Sequence, residues 1–311
     1  MTCVLLSTWT NGLFVFQGGS VREEWPGRSV RGLSHDGGDG VLAIVDGTLL
    51  CRRAADGTWR TLARSEVELA CAIALGEEIY VGVSHTPDVM RLAQGRLERL
   101  AGFDAVAGRD KWYAGAALID GRLLGPPLGI RSLAASCDGT TLLANVHVGG
   151  IPRSTDGGST WHPTIDIDSD VHQVCTHPRR PELAIAATAM GLAVSRDGGA
   201  SWAIEREGLH ACYCSAVAFI GDDLLVAAST DHFARQGAVY RRSIDAHTPL
   251  VPVAGLPQWL NGIADTGNVA VKAATLAVAD KYGTLYQSED AGQHWSQVAQ
   301  GLPTPSSVAV C

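Results

Sequence analysis

The sequence predicts a seven-bladed β-propeller with four-stranded blades, and three observations carry that expectation. The pattern Ser-x-Asp-x-Gly-x-x-Trp occurs three times: STDGGSTW at Ser154–Trp161, SRDGGASW at Ser195–Trp202 and SEDAGQHW at Ser288–Trp295. A degenerate copy, Ser243-Ile244-Asp245, keeps the Ser and Asp, so Asp156, Asp197, Asp245 and Asp290 stand 41, 48 and 45 residues apart. That is the period of one four-stranded blade. Between the boxes lie short apolar runs bounded by Gly, Asp, Asn and Pro, such as Leu183–Ser195, and no long segment carries a helical stripe.

Extended in both directions, this register gives six blades over residues 30–62, 69–100, 131–164, 171–205, 213–253 and 260–298. In the first of these, Asp46-Gly47 forms a tight hairpin turn after an apolar strand. Two pieces remain. Cys3–Trp25 reads as a blade lacking its innermost strand, and Ser306–Cys311 as an innermost strand lacking its blade. Pairing them completes a seventh blade from both ends and leaves the ring without a free edge. Residues 101–130 contain Gly-Pro-Pro-Leu-Gly and carry no box. One propeller domain over 1–311 is expected.

Each box reads as a staple. Its Gly residues permit positive φ at a hairpin between the third and fourth strands of a blade. The Asp carboxylate accepts backbone N–H bonds across the turn, with Ser in support. The Trp starts the outer strand and packs its apolar face over the hairpin.

Composition narrows the partners. The 311 residues carry a net charge of −8 without a Lys/Arg run, which argues against nucleic acid. No apolar run approaches the length of about 20 residues that spans a bilayer, so no membrane partner is expected. The start, MTCVLLSTWT, lacks a basic region and a small-residue cleavage site, so a cytoplasmic protein with reduced thiols is expected. Its eight cysteines include no C-x-x-C pair, and most alternate with Ala and Val as small core residues.

The boxes resemble the Asp-box, or bacterial neuraminidase repeat, of sialidases, sortilin-like receptors, some xyloglucan hydrolases and photosystem II assembly factors. Together with the degenerate copies, the resemblance covers nearly the whole chain. It implies a propeller with boxes on the blade periphery, away from any site, and so says little of function. Sialidases of this family carry an Arg-Ile-Pro motif near the N-terminus, part of an arginine triad. Here the nearest string is Ile151-Pro152-Arg153, reversed and mid-chain, and no triad carries over. Sialidase-like hydrolysis therefore ranks low.

A propeller's ligand face is built from the loop between second and third strands and from the start of each innermost strand. The position seven residues before each box Ser gives His147, Thr188 and Lys281, and matching turns offer Trp9, Asp46, His85 and His232. Starts of innermost strands offer Arg31, Glu68, Arg131, His172, Tyr213 flanked by Cys212 and Cys214, Asn261 and Ser306. Of the other histidines, His162, His177, His210 and His294 fall in turns or boxes.

Three readings of this polar ring stay open. It is a solvated channel mouth whose His and Arg satisfy loop backbone. Or it is a metal site in which His85, His147, His172 and His232 converge on a divalent zinc, copper or iron ion. Or it recognises an anion without metal, Arg31 and Arg131 gripping a carboxylate or phosphate while a His acts as acid or base. The candidate catalytic residues are His147, His172 and Tyr213, and the candidate substrate-binding residues Arg31, Arg131, Lys281, Glu68 and Asn261. If Cys212 and Cys214 faced the channel instead of Tyr213, they would be soft ligands or a redox pair.

The expectation is a propeller that binds a small-molecule ligand, an enzyme acting on a small anionic or polar substrate at this mouth, metal-assisted in one variant. The alternative is a non-catalytic interaction or assembly scaffold presenting the same face to a protein partner. Trp9, Phe233 and Trp259 are then the exposed candidates.

Overall fold

The computed structural model describes residues 2–115, 117–119, 122–233 and 235–311, with backbone alone for 117–119 and 122–124. The chain opens with β1 (Cys3–Thr8), β2 (Leu13–Gln17) and β3 (Ser20–Glu24), three strands of one sheet. Two complete blades follow: β4 (Val30–His35), β5 (Val41–Val45), β6 (Leu49–Arg53) and β7 (Trp59–Arg64), then β8 (Leu69–Leu75), β9 (Glu78–Val83), β10 (Val89–Ala93) and β11 (Arg96–Arg99). The described part of residues 101–130, which carry no box, holds two short 3₁₀ turns and a separate antiparallel pair of strands, β12 (Ala117–Ile119) with β13 (Arg122–Leu124).

The next blades are β14 (Gly129–Ala135), β15 (Leu142–His147), β16 (Pro152–Ser154) and β17 (His162–Pro163), and β18 (Val171–Thr176), β19 (Ala184–Thr188), β20 (Gly191–Ser195) and β21 (Ala203–Glu205). The sixth has β22 (Tyr213–Ile220), β23 (Asp223–Ser229), β24 (Gln236–Ser243) and β25 (Val251–Pro252), with β26 (Leu260–Asn261) added beside β24. The last comprises β27 (Val269–Lys272), β28 (Thr275–Ala279), β29 (Leu285–Ser288) and β30 (Ser296–Ala299). β31 (Pro305–Val310) returns to pair with β1, Val4 opposite Val310 through Ser7 opposite Ser307. Seven four-stranded antiparallel blades result, the first assembled from both ends.

One boundary is corrected. The seventh blade begins its innermost strand at Val269, not at residue 260; Leu260 and Asn261 pair instead with Gly237 and Gln236 of the preceding blade. The reduced-thiol expectation is corrected for two residues as well. Cys3 and Cys311 are joined by a disulfide with their Cα atoms 5.2 Å apart, a separation that suits such a bond. Cys51 and Cys214 remain buried free thiols, as small core residues should.

Packing explains why the blades stay in a ring. Innermost strands β31, β4, β8, β14, β18, β22 and β27 neighbour one another in that order. Each apolar cluster is shared by two consecutive blades, as where Leu183, Ile185 and Leu192 meet Val217, Phe219 and Leu224. Burial of alternate residues on both faces of a sheet gives strands such as β5 and β19 their continuous apolar character. Among the described residues no helix is long and apolar enough to cross a membrane.

The boxes sit in the hairpins between third and fourth strands. Ser154 Oγ donates to Asp156 Oδ1 at 2.8 Å and accepts from Gly158 N at 2.9 Å, while Thr160 N donates to Asp156 Oδ1 at 2.8 Å. The same bonds recur at Ser195–Asp197 and Ser288–Asp290. In the degenerate copy Asp245 accepts instead from Arg180 at 2.7 Å.

Candidate functional site

Antiparallel pairing places the loops between second and third strands at the same end of the ring as the starts of the innermost strands. Val171 at the start of β18, for example, lies opposite Thr188 at the end of β19. Near this end β8, β14, β18 and β22 each carry a bulge, the register skipping Ala70, Arg131, His172 and Ser215 respectively. A bulge re-aims the side chain of the extra residue. Arg131 and His172 are thus equivalent positions on adjacent blades.

The mouth opens into an axial cavity of about 640 Å³, lined among others by Trp9, Arg31, Glu68, His85, Arg131, His147, His232, Asp265 and Lys281. Gln173, Ser132 and Ser307 lie along it as well. Gln173 Oε1 accepts from Gly267 N at 3.2 Å.

Two groups of charges divide the rim. On one side Arg31 donates to Glu68 at 2.5 Å, its guanidinium 5.6 Å over the Trp9 ring. His85 Nε2 lies 3.2 Å from the same carboxylate, with an exposed side chain. On the other side Arg131 donates to Asp265 at 2.8 Å. Burial works against ionisation of Asp265, but the charge of Arg131, the Thr266 backbone N–H and the nearby histidines together outweigh it, and the carboxyl stays below its usual range. Lys281 differs from both arginines. Its Nζ donates to the His232 carbonyl at 3.2 Å and lies 5.6 Å over the Phe233 ring, and among the described residues no carboxylate is within ion-pair distance. His232 lines the same stretch, and burial pushes its imidazole down.

A tighter group lies beside Arg131. His147 Nε2 is 3.1 Å from Asp170 Oδ1, and His172 Nε2 is 3.6 Å from Asp170 Oδ2. The two imidazoles are 5.4 Å apart, and Tyr213 packs on His172 at 4.5 Å. One ligand-type atom from each of His147, Asp170 and His172 falls within 4.8 Å of the others; His85 and His232 stand outside this group. His147 and His172 are nearly fully buried.

Burial pushes the His147 imidazole down to about 4, the nearby Asp170 carboxylate opposing this and Arg131 adding to it. Burial opposes ionisation of Asp170, but the two histidines hold its carboxyl far below the usual range. The Tyr213 phenol is lifted by burial, so its hydroxyl stays protonated and available as a donor. Tyr213, not a thiol, faces His172. Cys212 is exposed, and Cys214 is buried with its thiol raised to about 12 by burial. Asn261 lies on β26 with its N–H on Asp280 Oδ2 at 3.2 Å, because the seventh blade's innermost strand starts later.

Sequence reasoning missed both carboxylates of the inner site. Asp170 ends a 3₁₀ turn at φ 47°, one residue ahead of β18, and Asp265 lies in the connection before β27. No strand-face spacing marks Asp170, because it lies in a turn outside the ladder and the next ligand-type residue, His172, stands in a bulge.

No protein-family profile matches the chain, and no curated protein matches it by sequence. Solved structures do. An ancestral GH74 enzyme aligns with 96% of this chain at 13% identity and a TM-score of 0.62, this chain spanning 40% of that one. A putative 6-phosphogluconolactonase from Bacteroides fragilis covers 100% of the chain, and 98% of its own, at 13% identity and 0.61. A computationally designed protein, Ika8, covers 91% and 90% at 12% identity and 0.55. At such identities the likeness is one of fold.

Proposed function

We propose that the protein is an enzyme that binds a small anionic or polar substrate in the axial cavity, with Lys281 and Arg131 holding its negative group. His147, which lines the cavity, is the candidate acid or base, with His172 packed against it and Tyr213 against His172 as a candidate hydrogen-bond donor. The observation that carries the reading is Lys281, a cavity-lining cation with no carboxylate partner among the described residues. Arg31 and Arg131 are already paired, so the lining holds three cations against the carboxylates of Glu68 and Asp265. A cation left over in a concave site attracts an anion more strongly than one on open surface. The cavity volume suits a ligand of metabolite size, not a polymer.

The test is calorimetric titration with inorganic phosphate, sugar phosphates and small mono- and dicarboxylates. A binder in that panel is expected, weakened at least about tenfold by Lys281→Gln, the worth of one charge-assisted hydrogen bond. Absence of any binder, or affinity indifferent to Lys281→Gln, refutes the reading.

A second reading has its own observation. Trp9, Phe233, Trp259, Tyr113, Tyr282 and Met190 are exposed, and all lie in loops at the mouth end. Such an apolar rim fits a protein partner docking over the cavity, the scaffold alternative. A partner whose capture is lost in Phe233→Ser, with the anion panel silent, selects it.

A further inference from the structure

We infer that His147, Asp170 and His172 form a binding site for one divalent transition-metal ion of the zinc class, with a remaining coordination position directed at the axial cavity. The tautomer of His172 is fixed by its backbone partner. Its Nδ1 lies 2.5 Å from the Cys214 carbonyl oxygen, which only accepts, so Nδ1 carries the proton. In the neutral ring Nε2 then presents a lone pair. That atom is buried, has no hydrogen-bond partner among the described residues, and faces the Asp170 carboxylate. Asp170 Oδ1 is likewise buried and unpartnered. Oδ1 is the oxygen 3.1 Å from His147 Nε2, while the His172 Nε2 lone pair faces the other oxygen, Oδ2, at 3.6 Å. An imidazole lone pair turned toward a carboxylate in a buried site calls for a cation between them.

A proton on His172 is one such cation, and a metal ion is the other. Three features favour the metal. The Nδ1–H to carbonyl bond is the device that fixes the orientation of metal-ligating histidines. His147 Nε2 supplies a third donor, 3.1 Å from the same carboxylate, whereas a proton needs only one acceptor. The set of two imidazoles and one carboxylate matches zinc sites that keep a position open for water or substrate. An ion with bonds of about 2.0–2.2 Å holds ligand atoms roughly 3.5 Å apart. The present spread of up to 4.8 Å therefore closes by about an ångström on binding. Arg131 would repel an ion, but its charge is taken up by Asp265 at 2.8 Å.

This site rests on the anion reading for the ligand in the cavity that His147 lines, and with an ion bound His147 and His172 act as its ligands in place of the acid and base roles. The two are nevertheless read separately: zinc uptake needs no organic ligand, and the Lys281→Gln titration needs no metal.

The experiment uses the full chain, stripped with chelator, dialysed against zinc and measured by elemental analysis. Cobalt substitution with visible spectroscopy reports the ligand geometry. One equivalent of zinc is expected, retained in Cys137→Ser/Cys212→Ser, which removes the exposed thiols as rival ligands. Uptake is expected to be lost in Asp170→Asn and in His172→Gln. Should His172→Gln fail to fold, Asp170→Asn carries the test, because it preserves shape at a partly exposed position. A wild-type chain that retains no ion overturns the inference. So does uptake that survives Asp170→Asn or disappears with the two thiols.

Discussion

Breaking the Cys3–Cys311 bond tests how the ring is closed. The two cysteines are separated by 308 positions, so the bond ties nearly the whole unfolded chain into one loop. The chain-entropy relation for such a loop gives about 5–6 kcal/mol of stabilisation, at the top of the range for disulfides. That effect resides in the unfolded state. In the folded state the β1–β31 ladder from Val4–Val310 to Ser7–Ser307 already holds the ends together, and Ser7 Oγ bonds Ser306 and Ser307 at 2.8 and 2.7 Å. The reduced ring should therefore stay folded at room temperature but melt earlier. An unfolding entropy of about 2.1 cal/mol/K per residue gives roughly 0.65 kcal/mol/K for this chain, so Tm falls by about 8 °C. Calorimetry of the oxidised chain, the reduced chain and Cys3→Ala/Cys311→Ala measures it, with thiol counting to confirm each redox state. Oxidised and reduced chains that melt within a degree of each other would falsify the reasoning. Loss of the fold on reduction would refute it from the other side, by showing that the ladder alone cannot close the ring.

Two further outcomes follow from the periphery and the core. Trp161→Ala removes a ring that is 3% exposed, edge-on to Phe103 at 5.1 Å and bonded through Nε1 to Gly158 O at 2.9 Å. It should cost about 3–5 kcal/mol in denaturant unfolding, without changing anion or zinc affinity; a selective loss of binding at full stability would place the box in the site. His177, fully buried, accepts from Arg179 N and Arg180 N at Nδ1, with Asp222 beside Nε2, and burial holds its folded pKa down. Its unfolded value is about 6.5, so the unfolded state takes up the proton first and stability declines as pH falls below about 6.5 toward the folded pKa. The slope should be shallower in His177→Asn; an unchanged slope removes His177 as its source.

The fold was legible because the boxes repeat. A staple that needs Ser, Asp, Gly and Trp at fixed offsets leaves a mark at every blade that keeps it, and its period counts the blades. The complementary ends were legible because β31 and β1 to β3 are each incomplete alone. Residues 260–268 misled because Leu260-Asn261 makes a short bridge to β24 and shifts the next innermost strand to Val269. The Cys3–Cys311 bond was invisible because it depends on ring closure, which brings together residues at opposite ends of the chain. At the mouth, Arg131 and His172 were found because they stand one blade period apart, 41 residues, at the starts of adjacent innermost strands. Asp170 and Asp265 were missed because they sit in turns outside the ladder, where no periodicity speaks.

That division between repeating and singular residues follows from the geometry of a blade. Second-to-third strand loops and innermost-strand starts share one end of the ring, while the third-to-fourth hairpins with their boxes lie at the other. A box does the same work in every blade that keeps it, so its residues are set by folding and recur. The mouth is built once from seven different contributions, so each of its side chains is free to differ from its equivalents in other blades. Arg131 and His172 occupy the same bulge on neighbouring blades, yet one pairs with Asp265 and the other meets Asp170. The chemistry of this protein is therefore to be sought where the repeat is broken, and its stability where the repeat is kept.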